Sequence, residues 1–254
     1  MELPDGALSV IPVRGIPSVQ PGDDLASLIM TAAPWLRDHD ILVVTSKIVS
    51  KAEGALVDVP ESGSEREEAR ESVLRSQTAR VVATRGHTRI VQTHHGFVMA
   101  NAGIDASNVD RAQLVLLPKD PDASARALRA ELLARGLDVA IVVSDTAGRP
   151  WRNGLTDVAL GCAGISPLRD HRGETDPYGN ELHITQMSIV DELAAAAELV
   201  KGKIDQVPVA VVRGLITSTT DEEPGVVPTL VRDAGSDLFS LGTAEAMELG
   251  RTLL

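Results

Sequence analysis

The chain has 254 residues, enough for a substantial buried core in one large domain or two closely joined ones. Lys plus Arg number 24 against 36 Asp plus Glu, and the resulting charge of −12 opposes non-specific attraction to nucleic acid or to an anionic membrane, so any anionic ligand has to be held by local cations. No apolar run approaches the roughly 18 to 20 residues that span a bilayer. The opening MELPDGALSV lacks the basic and then apolar order of a signal peptide, and the single cysteine, Cys162, excludes an intramolecular disulfide and any multi-cysteine metal site, so a cytoplasmic protein is expected.

Leu8 to Val13 reads as a first strand, followed by the turn Arg14-Gly15-Ile16-Pro17, where glycine permits close backbone approach and proline withholds a donor. Asp23 or Asp24 is placed to cap a helix through Leu36, carried by Leu25, Leu28, Ile29 and Ala32 at helical spacing. Ile41 to Thr45 is a second apolar strand. It runs into SKIVSKAEG, Ser46 to Gly54, with Lys47 and Lys51 one helical turn apart. As a helix, this segment would turn its amino end and both lysines toward one anion; as a solvated connection it would bind nothing. Ser64 to Gln77 mixes both signs of charge with little apolar content and reads as an exposed helix. Thr88 to Thr93 resembles a strand, and His94-His95 after it lack the spacing of a helical metal pair.

Asn101 to Asn108, NAGIDASN, is chemically dense: Gly103 supplies backbone freedom, and Asp105, Ser107 and Asn108 supply oxygen and amide contacts. Leu114 to Leu117 is a predicted strand and Asp122 to Arg135 an amphipathic helix, with Asp122 as its cap and its role structural. Next comes Asp138 to Leu160, in which Ala140, Ile141, Val142 and Val143 fit a strand covered on both faces. The backbone is expected to leave the sheet at Ser144-Asp145-Thr146, where α/β proteins tend to place ligands. Asp145 and Thr146 offer hard oxygen ligands, and Arg149 and Arg152 fixed positive charge, a combination that suits a metal ion carrying phosphate; a plain turn after a strand is the competing reading. Asp105 could share a magnesium or manganese ion with Asp145 if the fold brings the two loops together.

Gly161, Gly164 and Gly173 punctuate the region leading to the turn Asp176 to Glu181 and the alternating stretch Leu182 to Ile189, a candidate smaller lobe around 147–206. The neighbours of Cys162, GCAG, mark it as a small packed residue rather than a nucleophile. Asp191 to Lys203 is helical and alanine-rich, Val207 to Val212 a final buried strand, Thr217 to Pro228 a mobile stretch, and Thr243 to Leu253 a last helix. Alternating apolar strands and helices predict an α/β or mixed α+β fold.

Neither GxxxxGK[ST] nor GxGxxG occurs, so a Walker-type or Rossmann nucleotide site lacks its sequence support, and GxSxG, HExxH and paired CxxC are missing too. Taken in series, SKIVSKAEG at 46–54, NAGIDASN at 101–108, SDTAGRPWRNG at 144–154, DPYGNEL at 176–182 and PVAVVRG at 208–214 resemble the coenzyme F-420:L-glutamate ligases in order and spacing over nearly the whole chain. The similarity extends in particular to the ligase half of the actinobacterial bifunctional enzyme, in which a flavin-binding, nitroreductase-like half follows. The chain ends at Leu254, about where that half would begin, so an isolated ligase domain or a standalone ligase is expected, with no flavin site.

The resemblance implies GTP-dependent addition of L-glutamate to the deazaflavin coenzyme precursor, first through the α-amine and then by γ-linked extension, by way of an acyl phosphate. It implies magnesium or manganese, with a potassium ion as a further candidate. By similarity, Asp105 and Asp145 would hold the first divalent metal and Thr146 would contact a second. Asn108 would help to hold GTP, and Arg14, Gly15, Ile16, Pro17, Ser46 and Lys51 would belong to the nucleotide site. Lys201, Gly202 and Lys203 match a nucleotide-contacting segment that runs to Val207. Archaeal relatives carry an acidic or amide residue near Lys203; protonated lysine cannot ligate, so either the second metal binds differently or Lys203 itself neutralises phosphate. The family also implies a mixed sheet with flanking helices, two lobes and an intertwined homodimer. A metal-dependent phosphohydrolase using the same aspartates, and a non-catalytic nucleotide- or coenzyme-binding module of a larger enzyme, are the alternatives.

Overall fold

A computed structural model of the chain describes residues 4, 6–107, 110–215, 224–233, 235–237 and 239–252. In chain order it begins with strand β1 (Ser9–Val13), helix α1 (Leu25–Ala32), β2 (Ile41–Thr45), α2 (Ser46–Ala52), β3 (Leu56–Asp58) and α3 (Gly63–Gln77). There follow β4 (Thr78–Arg85), β5 (Thr88–Thr93), β6 (Val98–Ala100), a single 3₁₀ turn at Asn101–Gly103, β7 (Gln113–Val115), α4 (Pro121–Ala134), β8 (Ala140–Arg149) and β9 (Arg152–Ala163). The remainder is β10 (Leu168–Asp170), β11 (Gln186–Ser188), α5 (Ile189–Lys201), β12 (Val209–Arg213), α6 (Val226–Leu230) and α7 (Thr243–Thr252). No helix among the described residues is long and apolar enough to cross a membrane.

A five-stranded sheet in the order β1-β12-β2-β8-β9 forms the centre. Only β2 and β8 run parallel within it, so the sheet is mixed and the fold is the expected mixed α/β class. The uninterrupted apolar runs of β2 and β8 follow from burial on both faces. Leu42, Val44, Ile141 and Val143 join one core with Ile29 of α1, Ile48 of α2 and Leu128 and Leu132 of α4. Ile41, Val43, Ala140 and Val142 join the other, with Val190, Leu193 and Ala197 of α5 and Val226 of α6. Period-two alternation sends successive side chains to opposite cores, so neither strand carries a solvent face. Most of the stretch 147–206 feeds this same sheet through β9 and α5, and the segment between them forms the two-stranded β10–β11 ribbon. The sheets β4-β5-β6 and β3-β7 complete the molecule.

Three sequence expectations change. Strand β8 does not leave the sheet at Ser144-Asp145-Thr146 but continues to Arg149 as a hairpin with β9, because antiparallel pairing satisfies its backbone whatever the polarity of its side chains. Asp122 does not cap α4. That role falls to Asp120, whose carboxylate accepts the Ala123 N–H at 2.9 Å, with Pro121 at the first helical position, where its missing N–H has no consequence. Asp122 is instead buried and accepts N–H bonds from Cys162, Val226 and Val227 at 2.8–3.0 Å, tying α4 to β9 and α6, so its role is structural as expected. Helix α1 is capped by Asp24 but stops at Ala32 rather than Leu36, since Pro34 cannot continue it. Of the stretch Thr217 to Pro228, residues 217–223 lie outside the described residues, and Val226 to Pro228 belong to α6.

Candidate active site

The parallel pairing of β2 with β8 ends at Thr45 and Ser144. Beyond that point β2 turns directly into α2 while β8 runs on, which opens a gap beside β8 at Asp145. A cleft of about 390 Å³ occupies this gap. Its walls come from Ile16 to Val19, from Thr45, Lys47, Ile48 and Lys51 around the start of α2, and from Asp105; Asp145, Thr146 and Asp157 of the hairpin, Glu198 and Lys201 of α5, and the residues after it complete the cleft.

Helix α2 puts Lys47 and Lys51 on one face, one turn apart, and both reach the cleft. Burial and the positive charge of Lys47 lower the pKa of Lys51. Asp105 arrives from below through a strained turn: Asn101, Ala102 and Gly103 all have positive φ. The backbone at Gly103, with φ 69°, favours glycine, and a Cβ there would also lie 2.9 Å from Leu117 Cδ2, which would have to move. Asp105 is then anchored by paired backbone bonds with Val115, at 2.8 and 3.0 Å. Its carboxylate accepts the Ser107 N–H at 2.6 Å and pairs with Lys47 Nζ at 2.6 Å. Burial alone would raise its pKa, but the Lys47 and Ser107 contacts outweigh it and hold the group low.

Asp145 behaves oppositely. Its carboxylate accepts the Thr146 N–H at 2.8 Å, yet burial first, and then the neighbouring charges of Asp157 and Asp105, push its pKa up to about 6 against the smaller pull of Lys203. Asp157 lies across the hairpin from Thr146 and forms a buried ion pair with Lys201 Nζ at 2.7 Å. Burial works against its ionisation, but the Lys201 charge and the hydrogen bonds from Lys201, Thr146 and Ser144 prevail and lower its pKa. The Ser144 hydroxyl donates to Asp157 at 3.0 Å and accepts from Lys201 Nζ at 2.9 Å, and the Thr146 hydroxyl donates to Asp157 at 2.8 Å. Lys203 Nζ donates to the Thr146 hydroxyl and lies 3.6 Å from Glu198.

Of the residues singled out from sequence, Ile16, Pro17, Lys51, Asp105, Asp145, Thr146, Lys201, Gly202 and Lys203 meet at this cleft. Arg14 and Gly15 are exposed just before the wall they lead into, and Ser46 is buried behind it. Asn108 lies outside the described residues. Arg149 and Arg152 do not line the cleft. They pair with each other at the exposed tip of the β8–β9 hairpin, where the four-residue extension past Asp145 carries Arg149 about 13 Å along the strand. Sequence reasoning missed Asp157 and Glu198. A lone acid inside the apolar run LTDVALGCA was the available signal for Asp157, since an unpaired carboxylate is not kept in such a run without a partner; Glu198 carried no such mark.

The donor set suits a hard divalent cation. Carboxylates of Asp105 and Asp145 and the Thr146 hydroxyl offer oxygen donors, and Asp145, its pKa raised by burial first and then by the charges of Asp157 and Asp105, lies where a cation would offset that charge. Among the described residues no three His, Cys, Asp or Glu side chains are grouped closely enough to cage an ion. An ion here would complete its shell with water and ligand oxygens, as magnesium commonly does.

Fold and cleft define a class first: a mixed α/β protein whose acid-and-lysine cleft opens where the parallel pairing of β2 and β8 ends. The family follows from comparison. The model of the F420-0:Gamma-glutamyl ligase family matches residues 15–214. The coenzyme F420:L-glutamate ligase of Methanothermobacter thermautotrophicus is 42% identical over 251 residues, covering 91% of this chain and 98% of that protein. That of Methanopyrus kandleri is 37% identical over 251 residues, covering 92% and 99%. The Haloarcula marismortui ligase of the same name is 42% identical over 224 residues, covering 81% and 87%. The chain belongs to the F420-0:gamma-glutamyl ligase family, and as a member it is an amide-bond-forming ligase.

Proposed function

We propose that the chain joins L-glutamate to the coenzyme F420 precursor at the expense of GTP, first through the α-amine of glutamate and then by γ-linked extension. The observation that carries this reading is the clustering of Asp105 and Asp145 with four lysines, Lys47, Lys51, Lys201 and Lys203, in one cleft. A carboxylate is a poor acyl donor and repels a triphosphate, so such a reaction needs concentrated positive charge to bring the two together. A divalent ion held by Asp105 and Asp145, with a second in contact with Thr146, would supply part of that charge. The lysines supply the rest, with Lys47 and Lys51 placed to meet phosphate from α2 and Lys203 from the loop after α5.

In the proposed sequence a carboxylate oxygen of the acceptor attacks the γ-phosphorus, and the bond to the β–γ bridging oxygen breaks, releasing GDP. The amine nitrogen of glutamate then attacks the acyl carbon. Phosphate leaves with the bond pair and its oxygen, and the amine releases its protons to solvent. Arg14 to Pro17, Ser46 and Asn108 are read as further nucleotide contacts, and Arg149 and Arg152 as contacts only if the hairpin tip reaches a ligand. A homodimer is part of the same proposal, supported by the exposed apolar side chains of Tyr178, Ile184, Leu199 and Ile204.

Mass spectrometry of precursor incubated with the chain, GTP, glutamate and manganese tests the reading: a glutamate adduct together with acceptor-dependent GDP is expected. GDP release that ignores acceptor and glutamate would point instead to a phosphohydrolase, and no adduct from folded chain would sink the ligase reading.

A further inference from the structure

One carboxylate of the cleft wall, Asp157, has no part in the proposed reaction. It is buried in β9, with both carboxylate oxygens committed to neighbours, and it organises everything next to Thr146. Its salt bridge to Lys201 makes it a carboxylate, which only accepts hydrogen bonds. A hydroxyl owns one hydrogen. Thr146 therefore gives its hydrogen to Asp157 at 2.8 Å, and the lone pairs of its oxygen have to face away, into the cleft. The ammonium of Lys203 already uses one of those lone pairs.

We propose that Asp157 is a positioning residue: by taking the Thr146 hydroxyl hydrogen it fixes that oxygen as an acceptor toward the cleft, so that Thr146 binds a cation there and cannot donate to an anion. Lys201 has the complementary task. It neutralises Asp157 from the α5 side, with Ser144 bridging the pair, so that Asp157 does not draw the cation off Thr146 into the hairpin. Period-two alternation along β8 makes this possible, because Ser144 and Thr146, two residues apart, both reach Asp157 across the hairpin. The inference deepens the proposed function and rests on its reading of the cleft as a cation site.

The test is manganese binding to the full chain, followed by the loss of free-ion electron paramagnetic resonance signal, with GDP present and absent. Thr146→Val removes the hydroxyl; Asp157→Asn replaces the obligate acceptor by an amide that can donate to Thr146 and release its orientation. Each is expected to weaken binding about tenfold, the lower end of what outer-shell changes cost. Because Asp157 acts through Thr146, the Thr146→Val/Asp157→Asn double variant should bind no more weakly than Thr146→Val alone. Asp157→Asn leaves the buried Lys201 with only the longer 3.7 Å contact to Glu198 as countercharge, so Asp157→Asn/Lys201→Met is measured alongside, with thermal unfolding to verify the fold, and should show the same tenfold loss. Wild-type affinity in the folded Asp157 variants, or additive losses in the Thr146 double, would overturn the positioning role while leaving the cation site intact. A wild-type chain that binds no manganese, with or without GDP, would overturn the cation reading itself and the positioning role with it.

Discussion

Asp157 and Lys201, 44 residues apart in the chain, meet at 2.7 Å with each side chain 3% exposed. The pair links the β8–β9 hairpin to the last turn of α5 directly beneath the cleft. Charges so far from water gain little net stability from each other, but removing one leaves the other stranded, which typically costs about 3–5 kcal/mol. Lys201→Met alone should therefore lower the unfolding free energy, measured in urea, by that order. Asp157→Asn/Lys201→Met should recover most of the loss, to within about 1 kcal/mol of wild type. If the single and double variants unfold alike, the pair is not the contact that holds α5 to the hairpin.

Asp145 gives a stability signal of the opposite kind. Its pKa in the folded protein is about 6, raised above the ordinary 3.8 by burial and by Asp157 and Asp105. A carboxyl group whose folded value is raised binds its proton more tightly folded than unfolded. Relative to a neutral side chain it costs nothing below about 3.8, and a cost develops as pH rises through about 6, reaching roughly 2–3 kcal/mol at most at neutral pH. Asp145→Asn should accordingly stabilise the metal-free protein at pH 8 and leave it unchanged near pH 3.5, while abolishing glutamate ligation. Denaturation curves at the two pH values, with chelator present, check the sign. Equal stability of the two proteins at pH 8 would mean that Asp145 carries no such strain.

Which of these features could be read from the chain follows from how local their causes are. The strand Ile41–Thr45 was legible because each of its apolar residues enters one of two cores, and the helix after it because Lys47 and Lys51 share a face. Asp105 and Asp145 were legible as oxygen ligands, but their meeting depends on the Asp105–Val115 bridge and the β2–β8 register, which no spacing encodes. The length of β8 was hidden since pairing with β9 supports a backbone whose side chains look like a loop. Asp122 misled for a related reason: it stands within the first turn of α4, and only the fold reveals that its acceptors are spent on Cys162, Val226 and Val227.

Gly161 marks the tightest approach between α4 and β9. A Cβ there would stand 2.2 Å from the Pro121 carbonyl carbon and 2.3 Å from its oxygen, both backbone atoms that cannot swing aside. Gly161→Ala has to push the helix start off the strand, where Asp122 holds it, and overpacking of this sort costs about 1–3 kcal/mol or more. The urea midpoint should fall accordingly, and a neutral result would show that α4 can shift freely.

Arg149 and Arg152 sit at the exposed hairpin tip, beyond the reach of the cleft. Alanine at either position should change stability by no more than about 0.5 kcal/mol and leave GDP affinity of the chain within about twofold. A larger loss of affinity, measured by calorimetry, would place the tip against the ligand in the bound protein.

Lys47 and Lys51 should separate two jobs. Both face the cleft from α2, so replacing either by methionine, which keeps the aliphatic bulk, removes one cation from the polyphosphate and should weaken GDP binding about tenfold, close to 1.4 kcal/mol. The loss should shrink at high salt, because partly exposed charges are screened. Lys47, however, also occupies Asp105 at 2.6 Å, a position that a divalent ion would have to take over. Lys47→Met therefore frees Asp105, and manganese should bind the nucleotide-free variant more tightly than it binds wild type, whereas Lys51→Met should leave that affinity nearly unchanged. Parallel titrations of GDP and manganese distinguish the two residues. If Lys47→Met weakens both ligands equally, the Lys47–Asp105 pair persists with the ion bound and does not compete with it.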